Sequence, residues 1–171
     1  MTRIALVLGG TRSGKSKYAV ELARQRCGLR VCYLATARPG DPELDARIAA
    51  HRRERPAAWS TREVGTDLAA AIAAAPPDHL LLIDSLTLWA AALLGVEDHV
   101  SELWPAAADR LRRHPPGAIL VSDEVGLGVV PDSPLGRRFR DELGWLNQQV
   151  AALADDVVLC VAGLPIRLRG S

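Results

Sequence analysis

The chain has 171 residues, which predicts one domain over 1–171 with a substantial core and leaves too little for two. It is 49% apolar and 24% charged, and no apolar run reaches the length of a membrane span, so a water-soluble globular protein is expected. A formal net charge of +1 argues against general nucleic-acid binding driven by counterion release.

Taken in chain order, Ile4-Ala5-Leu6-Val7-Leu8 reads as a buried strand that begins with no signal peptide ahead of it. Gly9-Gly10-Thr11-Arg12-Ser13-Gly14-Lys15-Ser16 follows and fits G-x-x-x-x-G-K-[ST], and Ser16–Arg26 reads as a helix. Strand, glycine-rich turn and helix in this order wrap a triphosphate with backbone N–H groups at a positive helix N-terminus. Lys15 then bridges the β- and γ-phosphates, and the Ser16 hydroxyl holds Mg²⁺. Of the 21 Lys and Arg residues only Lys15 and Lys17 are lysine, so a compact ammonium is kept where a point charge suits phosphate oxygens.

Further apolar, β-rich runs occur at Arg30–Ala35, Leu80–Asp84, Ala118–Ser122 and Val157–Ala162. Helical patterns lie between them at Pro42–Arg55, Asp67–Ala75, Leu86–Leu94, Leu103–Arg113 and Leu135–Leu153. Near-continuous apolar strands alternating with helices predict an α/β P-loop NTPase fold: a mostly parallel sheet with helices on both faces, and ligands at the carboxyl ends of the strands. Cys27, Cys32 and Cys160 are odd in number and lack C-x-x-C spacing, which predicts free thiols, buried for Cys32 and Cys160, in a cytoplasmic enzyme.

Three strand ends carry candidate site residues. Asp84 closes Leu80-Leu81-Leu82-Ile83 in the pattern of a Walker-B aspartate, which reaches Mg²⁺ directly or through water. Tyr33-Leu34-Ala35-Thr36-Ala37 leads toward Asp41-Pro42, a helix N-cap and first-turn pair; Thr36 either touches nucleotide or closes a turn. Ser122-Asp123-Glu124, running to Gly126, Gly128 and Pro131, has carboxylates suited to Mg²⁺ or to activating a hydroxyl, on glycines that otherwise serve the turn. On the helix over 42–55, Arg47, His51 and Arg55 share one face. Arginines there grip phosphates and disfavour imidazolium, which keeps His51 neutral and nucleophilic; the alternative is an exposed basic helix with an incidental histidine.

These residues carry a resemblance. The loop Gly9–Ser16, the segment Tyr33–Ala37, Arg47-Ile48 through His51 to Arg55-Pro56 and Trp59, Asp84-Ser85-Leu86-Thr87-Leu88-Trp89, Asn147-Gln148 and Val161-Ala162-Gly163-Leu164-Pro165 span nearly the whole chain. Most specific is Glu124-Val125-Gly126-Leu127-Gly128-Val129-Val130-Pro131 with Arg137-Arg138-Phe139-Arg140-Asp141 after it. Together they resemble the bifunctional adenosylcobinamide kinase / adenosylcobinamide-phosphate guanylyltransferase family of cobalamin (vitamin B12) biosynthesis. Thr11 stands where alanine is common in that family.

The resemblance implies two reactions. ATP or GTP phosphorylates the aminopropanol hydroxyl of adenosylcobinamide; GTP then gives GMP to the new phosphate, leaving adenosylcobinamide-GDP and pyrophosphate. It implies a covalent GMP on His51 and catalytic use of Lys15. Nucleotide contacts fall on Gly9, Gly10, Thr11, Arg12, Ser13, Gly14, Lys15, Ser16, Ala35, Thr36, Ala37, Arg52, Arg53, Glu54, Arg55, Glu63 and Asp84, with Mg²⁺ at Ser16 and Asp84. A homotrimer is implied as well, for which Trp59, Trp89 and Trp104 are contact candidates if they are not core. A GTP-dependent switch is disfavoured: its guanine-reading Asn-Lys-x-Asp segment is absent, lysine occurring only at 15 and 17.

Overall fold

The computed structural model describes residues 3–37, 40, 49, 52–53, 55–96 and 98–170. Its elements are β1 (Ile4–Gly9), α1 (Lys15–Cys27), β2 (Val31–Ala35), β3 (Ser60–Glu63), α2 (Leu68–Ala73), β4 (Leu80–Asp84), α3 (Leu86–Leu94), α4 (Val100–Arg113), β5 (Ala118–Asp123), α5 (Pro134–Leu153), β6 (Asp156–Val161) and β7 (Leu164–Arg169). The predicted helix over 42–55 lies largely outside the described residues, and with it Asp41, Pro42, Arg47, His51 and Glu54; Ala49, Arg52 and Arg53 are helical.

The strands form one seven-stranded sheet in the order β3-β2-β4-β5-β1-β6-β7. β1 to β6 are parallel neighbours, and β7 returns antiparallel to β6 through a two-residue turn. Ala162 (φ 52°) and Gly163 (φ 81°) make that turn, the positive-φ pair that matches the twist of a hairpin.

Side chains alternate along each strand and so build two cores. Ile4, Leu6, Leu34, Leu81, Ile83 and Leu120 pack under α2, α3, α4 and α5, with Trp89 fully buried among them. Ala5, Val7, Tyr33, Leu82 and Val121 pack on the other face under α1 and Trp59. Ala19 and Ala23 are the buried residues of α1, and their small side chains let this helix lie close on the sheet. α4 starts at Val100, ahead of the predicted Leu103, because Val100, Trp104, Ala107, Ala108 and Leu111 form one continuous apolar stripe.

Trp59, Trp89 and Trp104 are therefore core residues and not a subunit contact. Each buried indole N–H that is paired finds a backbone oxygen: Trp59 donates to the Gly28 C=O at 3.0 Å and Trp89 to the Thr66 C=O at 2.8 Å. The exposed large apolar residues include Leu164, Ile166 and Leu168 on β7. Cys32 and Cys160 are buried free thiols as expected, and Cys27 is half-buried. No helix of the described residues is long and apolar enough to cross a membrane.

Candidate active site at the carboxyl edge of the sheet

Strand register brings the site together. Glu63, Ala35 and Asp84 share one row across β3, β2 and β4, continued by Val121 on β5 and Val7 on β1. β1 and β5 run two residues further, to Gly9 opposite Asp123. β5 thus separates β1 from β4, and Asp123, not Asp84, is the strand-end carboxylate beside the phosphate loop.

The loop from Gly9 to Ser16 is shaped by close approaches. A Cβ on Gly9 would strike the Ser13 side chain and stand 2.7 Å from the Cys160 carbonyl oxygen. Gly14 has φ +91°, and a Cβ there would stand 3.1 Å from Gly163 Cα in the β6–β7 turn. That turn is fastened to the loop by the Gly163 N–H donating to the Ser13 C=O at 2.9 Å. α2, α3 and α5 are each capped by a side chain, from Asp67, Ser85 and Ser133, which accepts a first-turn N–H. α1 has no such cap and no acidic residue in its first turn. Its N–H groups and positive dipole end are left for an external anion.

Lys15 lies within this loop. Its Nζ donates to the Gly10 C=O at 3.1 Å and stands 2.5 Å from Asp123 Oδ1, with the two side chains only 12% and 22% exposed. Asp84 is held from the other direction, by the Tyr33 hydroxyl donating to Oδ2 at 2.9 Å. Burial first, and then the Asp84 charge, push the Tyr33 hydroxyl well above its ordinary pKa, so it stays a donor. The Arg55 guanidinium stacks over the Tyr33 ring, 3.1 Å from its centroid.

Thr36 is buried, and its hydroxyl donates to the Ser85 C=O and accepts the Ser85 N–H, both at 2.7 Å. Its side chain thus joins the end of β2 to the turn after β4. Ala35 and Ala37 flank it, half-buried. On the rim, Arg52 and Glu63 stand 3.5 Å apart with both side chains largely in water, a pair that adds little stability. Arg53 is exposed. Glu124 opens the next loop with its N–H donating to the Gly9 C=O at 3.3 Å, and Arg137 Nη1 secures the far end on the Pro131 and Asp132 carbonyls.

A phosphate loop, strand-end carboxylates and arginines on one edge describe a nucleotide-handling site, and comparison with known proteins supplies the chemistry. The family described as "Cobinamide kinase / cobinamide phosphate guanyltransferase" matches residues 5–168. The chain belongs to that family.

Cobinamide kinase / guanyltransferase relatives align end to end. The "Bifunctional adenosylcobalamin biosynthesis protein CobP" of Pseudomonas aeruginosa is 47% identical, covering 96% of each chain. The CobU proteins of the same description from Salmonella typhimurium and Escherichia coli are 37% and 35% identical, covering 96% of this chain and 98% of each relative. Among solved structures, the flagellar accessory protein FlaH from Methanocaldococcus jannaschii shares the fold, with TM-score 0.57 and 14% identity over 99% of this chain and 79% of that one.

Within this member of the family, Gly9–Ser16, Ala35–Ala37 and Asp84 lie along the carboxyl edge of the sheet, and Glu63, which the resemblance alone singled out, joins them at the end of β3. His51 and Glu54 lie outside the described residues. Sequence reasoning gave no task to Tyr33, Thr87 or Asn147, although all three stand in the segments that carry the resemblance. Their signal is register and sheet order, which a single sequence does not print.

Proposed function

We propose that the chain carries out both transfers of its family at one triphosphate site. ATP or GTP gives its γ-phosphoryl group to the aminopropanol hydroxyl of adenosylcobinamide, with the nucleoside diphosphate leaving. GTP then gives GMP to the resulting phosphate through a phosphoramidate on His51, with pyrophosphate leaving. The observation that carries this reading is the Gly9–Ser16 loop: an uncapped α1 N-terminus with Lys15 anchored inside it, in a chain that matches the family from end to end.

The chain's own residues divide the work. Backbone N–H groups at the start of α1 hold phosphate oxygens, and Lys15 places a positive charge between the β- and γ-phosphates. The ring nitrogen of His51 attacks the α-phosphorus of GTP as the bond to pyrophosphate breaks. The phosphate of the acceptor then attacks the same phosphorus and frees the ring. Arg52 and Arg55 supply charge for the departing pyrophosphate.

Ser16 and Asp84 offer the hard oxygen donors that Mg²⁺ takes. Mg²⁺ dehydrates reluctantly and commonly takes one or two protein oxygens beside water and substrate phosphates, so these two donors are enough. Bound there, Mg²⁺ neutralises phosphate charge. A cytoplasmic compartment, where both triphosphates are abundant, fits this reading.

Lys15→Ala tests the shared site. Kinase and guanylyl transfer, assayed separately, are expected to fall together by about 100-fold or more. Retention of either activity breaks the one-site reading.

A further inference from the structure

Asp123, Thr87 and Asn147 form a connected unit beside the phosphate loop. The Asp123 N–H donates to Thr87 Oγ1 at 2.8 Å, and its C=O accepts from Asn147 Nδ2 at 3.0 Å. Thr87 belongs to the first turn of α3, and Asn147 is a buried residue of α5. Two helices therefore fix the backbone that aims Asp123 at Lys15, 2.5 Å from its ammonium.

We propose that Asp123 is the resident counter-ion of Lys15, a positioning residue that holds the ammonium inside the phosphate site and yields it to an incoming triphosphate. A lysine side chain has four rotatable bonds and a strongly hydrated head, and left alone it turns toward water. Here the Lys15 side chain is only 12% exposed, and the Gly10 carbonyl is a neutral partner, so charge balance for the ammonium comes from Asp123. Asp84 does not fill this role: it stands one strand further from β1, with Oδ2 bonded to the Tyr33 hydroxyl. Triphosphate and carboxylate thus compete for one lysine. Thr87 and Asn147 set the strength of that competition by fixing the carboxylate in place.

The sign of the effect separates this role from a merely structural one. Calorimetric titration with GTP in EDTA compares the wild type, Asp123→Asn, Lys15→Ala and the double variant. Asp123→Asn is expected to lower the GTP Kd by about tenfold, because one negative charge leaves the neighbourhood of Lys15. In the Lys15→Ala background the same change is expected to do much less, since the contested ammonium is gone.

Unchanged or weaker GTP binding by folded Asp123→Asn protein overturns the proposal. Equal tightening in both backgrounds overturns it too, because the carboxylate would then act by plain repulsion. Thr87→Val, which loosens the carboxylate without removing its charge, is expected to tighten binding by about threefold, with Thr87→Ser at the wild-type value. Weaker binding by Thr87→Val counts against the role and serves if Asp123→Asn fails to fold. The inference rests on the phosphate-site reading, and Lys15→Ala keeps the two apart. Unchanged GTP affinity in that single variant sinks the phosphate site itself, whereas a weakened Lys15→Ala beside an unchanged Asp123→Asn sinks only the counter-ion.

Discussion

Tyr33 does two jobs with one side chain. Its hydroxyl donates to Asp84, and its ring carries the Arg55 guanidinium, so it links the carboxylate proposed for Mg²⁺ to an arginine proposed for the triphosphate. Tyr33→Phe keeps the ring and removes the hydroxyl. The expected outcome is a Mg²⁺ concentration for half-maximal kinase rate raised by about tenfold or more, the weight of one hydrogen bond to a charged group. Tyr33→Leu is expected to add a loss in guanylyl transfer as Arg55 loses its platform. A Mg²⁺ titration unchanged in Tyr33→Phe removes the hydroxyl from the site's support.

At this scale the sequence is legible where chemistry is contiguous. Gly9 to Ser16 announces itself because eight consecutive residues make the loop. The Lys15–Asp123 and Tyr33–Asp84 pairs depend on which strands are neighbours, and spacing along the chain does not carry that.

Among elements, the attachment of β6 carries a pH signature. Asp156, its first residue, accepts from Arg3 Nε at 2.8 Å and Nη2 at 3.0 Å, and from Arg26 Nη2 on α1 at 2.7 Å. The hydrogen bond from Arg3 is the main cause that holds this carboxyl below its ordinary value, against the opposing effect of burial; the charges of Arg3 and Arg26 add to it. A carboxyl depressed in the folded state contributes stability that is present above its unfolded value of about 4 and is lost as pH falls through the folded value. Asp156→Asn is therefore expected to lower Tm by roughly 3–6 °C at pH 7. The gap to wild type should narrow as the pH falls below about 4. Identical melts at pH 7 would detach Asp156 from the stability of this edge.

The five strands legible as apolar runs are the ones that fill the interior of the sheet. β3 and β7 were not, for opposite reasons. Ser60-Thr61-Arg62-Glu63 is a short polar edge with no buried face to impose alternation, and its charges guard the edge against other chains. Leu164–Arg169 does alternate, but every residue of it is exposed, and Pro165 near its start reads as a stop in a sequence. The β6–β7 turn that this strand completes is also what presses Gly163 against Gly14 and closes the back of the phosphate loop.

For the whole molecule, one sheet edge collects the phosphate loop, the strand-end carboxylates Glu63, Asp84 and Asp123, and Arg52 and Arg55 beside them. That concentration makes a single triphosphate site the economical explanation of two transfers. Whether GMP passes through the protein is a chemical question with a chemical answer. The most direct measurement is the intact mass of the purified protein after incubation with GTP and Mg²⁺, beside His51→Ala treated in the same way. The expected result is one added GMP on the wild type, labile to acid, and none on the variant. Folded, GTP-binding protein that gains no GMP, or an adduct that persists in His51→Ala, would contradict transfer through this histidine.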